Sequence, residues 1–201
     1  MNNRIFILFS ISILLSIASV AQSFQGGLAA GLVGSQVNGD TYSGYNKPGA
    51  YAAAWIKFSV SERSNLQTEL SYFQKGSRHN PDVNKGDDSF YLMRLGYIEM
   101  PFNYEYQLSE KISIHGGPAF SFLLHSYEEF NYIEADYGKF HLFNLAANIG
   151  VSYKLNEKYN VVFRNNRSLL SIRDQNKDNS LSSFFKGQYN DALMLFLSYK
   201  L

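Results

Sequence analysis

The chain has 201 residues, no cysteine, and 18 Lys and Arg against 17 Asp and Glu. That near-zero balance excludes a basic field that would gather nucleic acid, and the missing cysteines exclude disulfides and thiol chemistry. The length fits one domain, and the 16% aromatic content suits strands with one face in lipid.

Arg4 is the only charge before an apolar run over residues 5–20, and Ser19-Val20-Ala21 closes that run with small residues. The run is shorter than the roughly 20 residues a membrane helix needs. The pattern predicts a cleaved secretory signal peptide over 1–21 and a single barrel domain over 22–201. The remaining chain alternates apolar and polar residues in eight stretches, each predicting a half-buried strand. A weakly patterned first strand spans 24–33, followed by a loop over 34–49. The second strand, 50–60, sets Ala52, Ala54, Ile56 and Phe58 against Tyr51, Ala53, Trp55 and Lys57. The third, 66–72, sets Leu66, Thr68 and Leu70 against Gln67, Glu69 and Ser71, and a polar loop is predicted over 75–89. The fourth, 90–106, opposes Met100, Phe102 and Tyr104 to Glu99, Asn103 and Glu105, with Gly96 marking a bulge. The fifth, 112–124, carries Pro118, which lacks a ladder donor and predicts another bulge. Strands over 143–153, 159–166 and 193–201 complete the series, after loops over 126–137 and 168–186.

Three short stretches punctuate these strands: Ser61-Glu62-Arg63, Ser109-Glu110-Lys111 and Asn156-Glu157-Lys158. Their starts lie 48 and then 47 residues apart, the spacing of an internal repeat. Tight turns thus join strands two to three, four to five and six to seven, and longer loops join the rest. All short connections fall at one end. This predicts an all-β, eight-stranded antiparallel up-and-down transmembrane barrel, with periplasmic turns and extracellular loops. The rival is a soluble lipocalin-type barrel with an apolar cup. The polar parity argues against it, because Gln67, Glu69, Glu99, Asn103, Asn144, Asn148 and Arg164 would line that cup. Tyr72, Tyr104, Tyr106, Tyr153, Tyr159 and Tyr199 lie near strand ends on the apolar parity, where interfacial girdles form.

Gly26-Gly27-Leu28, the block Leu66 to Gly76 ending in Gln74-Lys75-Gly76, Tyr97-Ile98-Glu99-Met100-Pro101, Gly116-Gly117-Pro118 and the closing Leu197 to Leu201 stand in one order. In these residues the chain resembles the PorT-like outer-membrane β-barrel family of Bacteroidetes. The resemblance implies an eight-stranded outer-membrane barrel and offers an accessory role in type IX protein export. Leu201 stands where such chains often have Phe, in a terminal strand whose alternation the barrel assembly machinery would read.

No cofactor-binding motif is present, and His79, His115, His125 and His141 lack metal-ligand spacing. His125, Ser126 and Asp136 are the nearest approach to a rim-located hydrolase or acyltransferase. Neighbouring strand residues point to opposite faces, so His125 and Ser126 are poorly placed for catalysis, and a non-enzymatic protein is expected. Glu69, Glu99 and Glu105 share the inward parity with Lys57, Arg164 and Lys200; Glu69, Glu99 and Arg164 are read as a structural polar network in a side-chain-filled interior rather than a narrow pore. The loop bearing Tyr127, Glu128, Glu129, Phe130, Tyr132, Glu134, Asp136 and Tyr137 is the candidate partner-binding surface, or alternatively a cover paired to Arg167, Arg173, Lys177 and Lys186. The expected setting is outer-membrane lipid, with a protein or envelope partner at the extracellular loops.

Overall fold

In the computed structural model, residues 24–174 and 187–201 are described. The predicted signal peptide and the loop residues Lys177 and Lys186 lie outside them. Eight long strands form the wall: β1 (Phe24–Asn38), β2 (Lys47–Ser61), β3 (Ser64–His79), β4 (Tyr91–Gln107), β5 (Ile112–Phe130), β7 (Phe143–Lys154), β8 (Tyr159–Ser168) and β9 (Tyr189–Lys200). A two-residue strand, β6 (Ile133–Glu134), folds back on the end of β5. Every wall strand pairs antiparallel with its chain neighbours, and β1 pairs with β9 to close the sheet. Closure leaves no unpaired strand edge facing lipid, where an unsatisfied backbone group costs several kcal/mol.

The side-chain distribution is that of a protein inverted relative to water. Leu32, Ile149, Leu70 and Leu195 project outward and are more than half exposed, whereas Glu69, Glu99 and Arg164 point inward at 2–3% exposure. The alternation predicted for β2, β3 and β4 is the one observed. Tyr104, Tyr106, Tyr153 and Tyr159 form an outward tyrosine belt beside the short turns, and Tyr159 packs on Tyr199 with ring centroids 5.1 Å apart.

The turn chemistry explains the repeat. Ser109 Oγ accepts from the backbone N–H of Ile112 at 3.1 Å. Asn156 Oδ1 accepts from those of Lys158 and Tyr159 at 2.9 and 3.0 Å. A short polar side chain that bonds the backbone two or three residues on fixes a tight turn. In the first turn Ser61 instead pairs with Ser64 across Glu62-Arg63.

Three local expectations are corrected. The strands run further toward the loops than predicted; β3 includes Lys75 and β5 reaches Phe130. About ten tilted residues cross a membrane, so the 19 of β5 carry the wall well beyond it. The register does shift at Gly96, but the extra residue is Leu124 on β5, since Gly96 pairs with His125 and Tyr97 with Leu123. At Pro118 no shift occurs; the pairing with β4 lapses for two residues and resumes in register. Gly117 makes that lapse possible, because a Cβ there would lie 1.9 Å from the Phe102 carbonyl oxygen.

Candidate functional site

The interior is built in layers. In the middle, Arg164 of β8 forks onto Glu69 of β3, with Nη1–Oε2 and Nη2–Oε1 distances of 2.9 and 2.7 Å. The hydroxyl of Tyr51 and the amide of Gln67 also donate to Glu69, and Arg164 Nε donates to His115 Nε2 at 3.0 Å. One layer toward the loops, Lys75 Nζ lies 2.9 Å from Glu99 Oε2 and 2.6 Å from Asn166 Oδ1. Ser121 Oγ donates to the same carboxylate at 2.7 Å, and Asn166 Nδ2 at 2.9 Å. Lys75 also lies 4.3 Å from the Phe73 ring centroid. Toward the turns, Lys57 bonds both oxygens of Glu105 at 2.8 Å. In each of these three layers the buried charges thus meet an opposite charge within a hydrogen-bonded cluster, the condition for tolerating them.

The structure thus joins Glu69 to Arg164 but gives Glu99 a different partner, Lys75, which the sequence reading left in a loop. The signal was present. Gln67, Glu69, Ser71 and Phe73 set the inward parity of β3, and Lys75 continues it. Gly76 follows with φ +138°, a conformation that suits glycine, and its carbonyl accepts from Ser35 Oγ at 3.0 Å. Lys200 is half-buried at the turn-end mouth.

The interior is not filled throughout, contrary to expectation. Tyr97, Phe73, Met93 and Leu95 fill the half toward the loops. On the turn side a cavity of ≈ 230 Å³ opens below Glu69 and Arg164. The cause is side-chain size, because Ser113, Ser152, Ser198 and Asn160 point in where larger residues would meet.

At the opposite end, β5 and β6 make a hairpin whose two turn residues, Asn131 and Tyr132, have φ of 49° and 66°. The turn is locked to the base of β4: Asn131 N–H donates to the Phe90 carbonyl at 2.8 Å and Asn131 Oδ1 accepts from Phe90 N–H at 2.9 Å. Tyr132 stacks on Phe90, with centroids 4.4 Å apart and planes 7° from parallel, yet remains 72% exposed. Ile133 beside it is exposed, as are Tyr127, Glu134, Asp136 and Tyr137. Glu129 and Phe130 are half-buried. Glu128 belongs to the interior instead. It is buried, accepts from Tyr91 Oη at 2.5 Å, and takes Arg173 Nη1 and Nη2 at 2.6 and 3.0 Å. Arg173 thereby ties the last loop to the hairpin, as the cover reading expected of it, while Arg167 is exposed. Between them lies a cleft of ≈ 430 Å³ lined by Asp40, Tyr42, Tyr91, Tyr137 and Arg173 among others.

His125 Nε2 pairs with the Tyr72 hydroxyl at 3.0 Å on the outer wall. His79 pairs with Asp87 at 2.6 Å and His141 lies 3.5 Å from Asp174. Among the described residues no three His, Asp or Glu converge as a metal set.

A closed eight-stranded wall, an apolar outer face, an ion-paired interior and short turns opposite long loops define a membrane-spanning β-barrel of the outer membrane. The sequence profile of the outer membrane protein beta-barrel domain matches residues 18–174, and the chain belongs to that family. Ail, the attachment invasion locus protein of Yersinia pestis, crystallised with the heparin analogue sucrose octasulfate, has a similar structure. Its TM-score is 0.53 at 12% identity, over 89% of this chain and 99% of that one. Neisserial surface protein A is similar at a TM-score of 0.52 and 12% identity, over 90% and 99% of the two chains. Among curated proteins, none matches the sequence.

Proposed function

We propose that this barrel is a surface-interaction protein whose binding element is the β5–β6 hairpin. The observation that carries this is the tip. A two-residue turn with both residues left-handed favours Asn-Gly, since a side chain at the second position costs about 1–2 kcal/mol. This chain keeps a tyrosine there, held flat on Phe90 and open to solvent. Backbone strain retained under an exposed ring favours a role for the ring. Glu129 and Glu134 face each other across the hairpin beside the turn, and Asp136 follows two residues on, so the surface suits a partner, protein or envelope component, that presents basic side chains near an apolar patch. Ail was crystallised with a polyanion; the acidic hairpin here has the opposite complementarity.

The test uses proteoliposomes presenting the loops outward and a lysine-rich amphipathic peptide as probe. Tyr132→Gly keeps the turn and removes the ring. Binding should fall at least tenfold, and Glu129→Gln with Glu134→Gln should remove its salt dependence. Unchanged binding in Tyr132→Gly would overturn the assignment.

The resemblance to PorT-like proteins supports a second reading, an accessory role in protein export. Its most specific blocks supply Lys75, Gly76, Glu99 and Pro101. These residues make the Lys75–Glu99 ion pair and its wall, so the motif serves the scaffold and the export reading rests on likeness alone.

A further inference from the structure

Lys47 opens β2 at the loop end and is 5% exposed. Among the described residues its ammonium has neither a hydrogen bond nor an ion pair. An unpaired buried charge is costly, and a buried polar group without a partner requires an explanation. The nitrogen itself stays within reach of solvent, unlike the enclosed side-chain amide of Asn103. The charge that acts on it is a second cation, Arg94 of β4. Arg94 is exposed on the outer wall, with its guanidinium 5.9 Å from the Tyr127 ring centroid and no carboxylate partner among the described residues. Glu129, two residues further along β5, instead accepts from the Tyr127 hydroxyl at 3.2 Å.

The two cations flank a glycine. Ser35 Oγ lies 3.4 Å from the Lys47 carbonyl oxygen and 3.0 Å from that of Gly76, and Gly76 pairs with Arg94 across the β3–β4 ladder. The row Lys47, Gly76, Arg94 thus crosses three strands with no side chain at its centre. The centre stays bare, because a Cβ on Gly76 would lie 2.0 Å from the Met93 carbonyl oxygen.

The height of this row identifies what reaches it. Tyr104 of the turn-side belt and Arg94 both project outward from β4, ten residues apart, with Met100 and Phe102 exposed between them. About ten tilted residues cross a membrane. Arg94 therefore stands at the outer boundary of the apolar band, where lipid headgroups lie. A guanidinium fork and an ammonium match the oxygens of a phosphate group. We propose that Lys47 and Arg94 clamp the phosphate of an anionic outer-leaflet lipid across Gly76. The bound phosphate supplies the counter-charge that Lys47 lacks within the chain, and the acyl chains lie along the apolar wall below. The site is independent of the Tyr132 hairpin.

The test reconstitutes the barrel in phosphatidylcholine vesicles, alone or with phosphatidic acid, a lipid phosphomonoester, and unfolds it reversibly with urea. Phosphatidic acid should raise the folding equilibrium constant of the parent about tenfold, since a ligand of the folded state stabilises it. Lys47→Met and Arg94→Gln should each abolish that gain. In phosphatidylcholine alone Lys47→Met should be at least as stable as the parent, because it removes an unpaired charge; a purely structural role for the ammonium would make it weaker. The proposal is overturned if Lys47→Met is destabilised there, if either variant keeps the gain, or if the parent shows none. Oleate of equal surface charge giving the same gain would assign membrane charge alone, and inorganic phosphate giving it in phosphatidylcholine would assign a free anion; each result overturns the lipid site. Tyr132→Gly should keep the full gain, which separates failure here from failure of the hairpin assignment.

Discussion

Glu99→Ala removes the carboxylate on which the Lys75 layer converges. Lys75 Nζ, Ser121 Oγ and Asn166 Nδ2 all lose an acceptor, and the ammonium is left with Asn166 Oδ1 and the Phe73 ring. Both partners are essentially enclosed, at 1% and 3% side-chain exposure, so solvent screening gives little relief. Breaking a buried pair from one side costs about 3–5 kcal/mol, chiefly for the charge left behind. That is roughly two to four decades in the folding equilibrium. Replacing both partners by apolar residues of similar volume is near neutral in other buried pairs. Lys75→Met with Glu99→Leu should therefore recover most of the loss. Reversible urea unfolding in lipid bilayers, followed by the gel mobility difference between folded and heat-unfolded barrel, measures all three proteins. Glu99→Ala should also create no ion conductance, because Tyr97, Met93 and Leu95 still fill the half above it. The reasoning fails if Glu99→Ala is as stable as the parent, if the double variant is no better than the single one, or if the single variant conducts.

Ile149→Arg places a charge near the middle of an outward strand. It should cost about 2–4 kcal/mol in the same unfolding measurement, and a cost near zero would remove lipid from that face. In the β3–β4 loop, hydrogen bonds from the Ser89 side chain and backbone and from His79 lower the Asp87 pKa to about 2. A depressed carboxylate stabilises the loop fully above its unfolded value, about 3.9, and that support is lost as pH falls through about 2. The Ser89 amide shift in NMR should thus titrate near 2, and Ser89→Ala should move the midpoint upward. A midpoint near 4 in the parent would contradict the bonds.

How far the sequence foretold these features depended on period. Two-residue alternation exposed β2, the middle of β4 and the end of β9, because one face meets lipid and the other meets charge. It failed where the wall rises beyond the membrane. There Lys75 and Ser77 look like loop residues, since both faces meet polar surroundings, and the strand continues only because β4 pairs with it. The carboxylates Glu69, Glu99 and Glu105 were legible as inward, but their partners were not, because pairing across a barrel depends on stagger between distant strands. The hairpin was legible as distinctive by its acids and aromatics. Glu128 turns in to Arg173 because the extra residue at Leu124 switches the inward parity of β5 from odd to even, and Tyr132 stays out on a left-handed turn that ordinary turn chemistry would have assigned to glycine.

Sidedness underlies the hairpin assignment, and the absence of cysteine makes it directly measurable. Tyr132→Cys and Glu62→Cys each introduce a single thiol, at a loop tip and at a short turn. On intact cells a membrane-impermeant maleimide should label Tyr132→Cys at once, and Glu62→Cys only after the outer membrane is permeabilised. Labelling of Glu62→Cys on intact cells, with Tyr132→Cys protected, would contradict the orientation and the hairpin assignment with it.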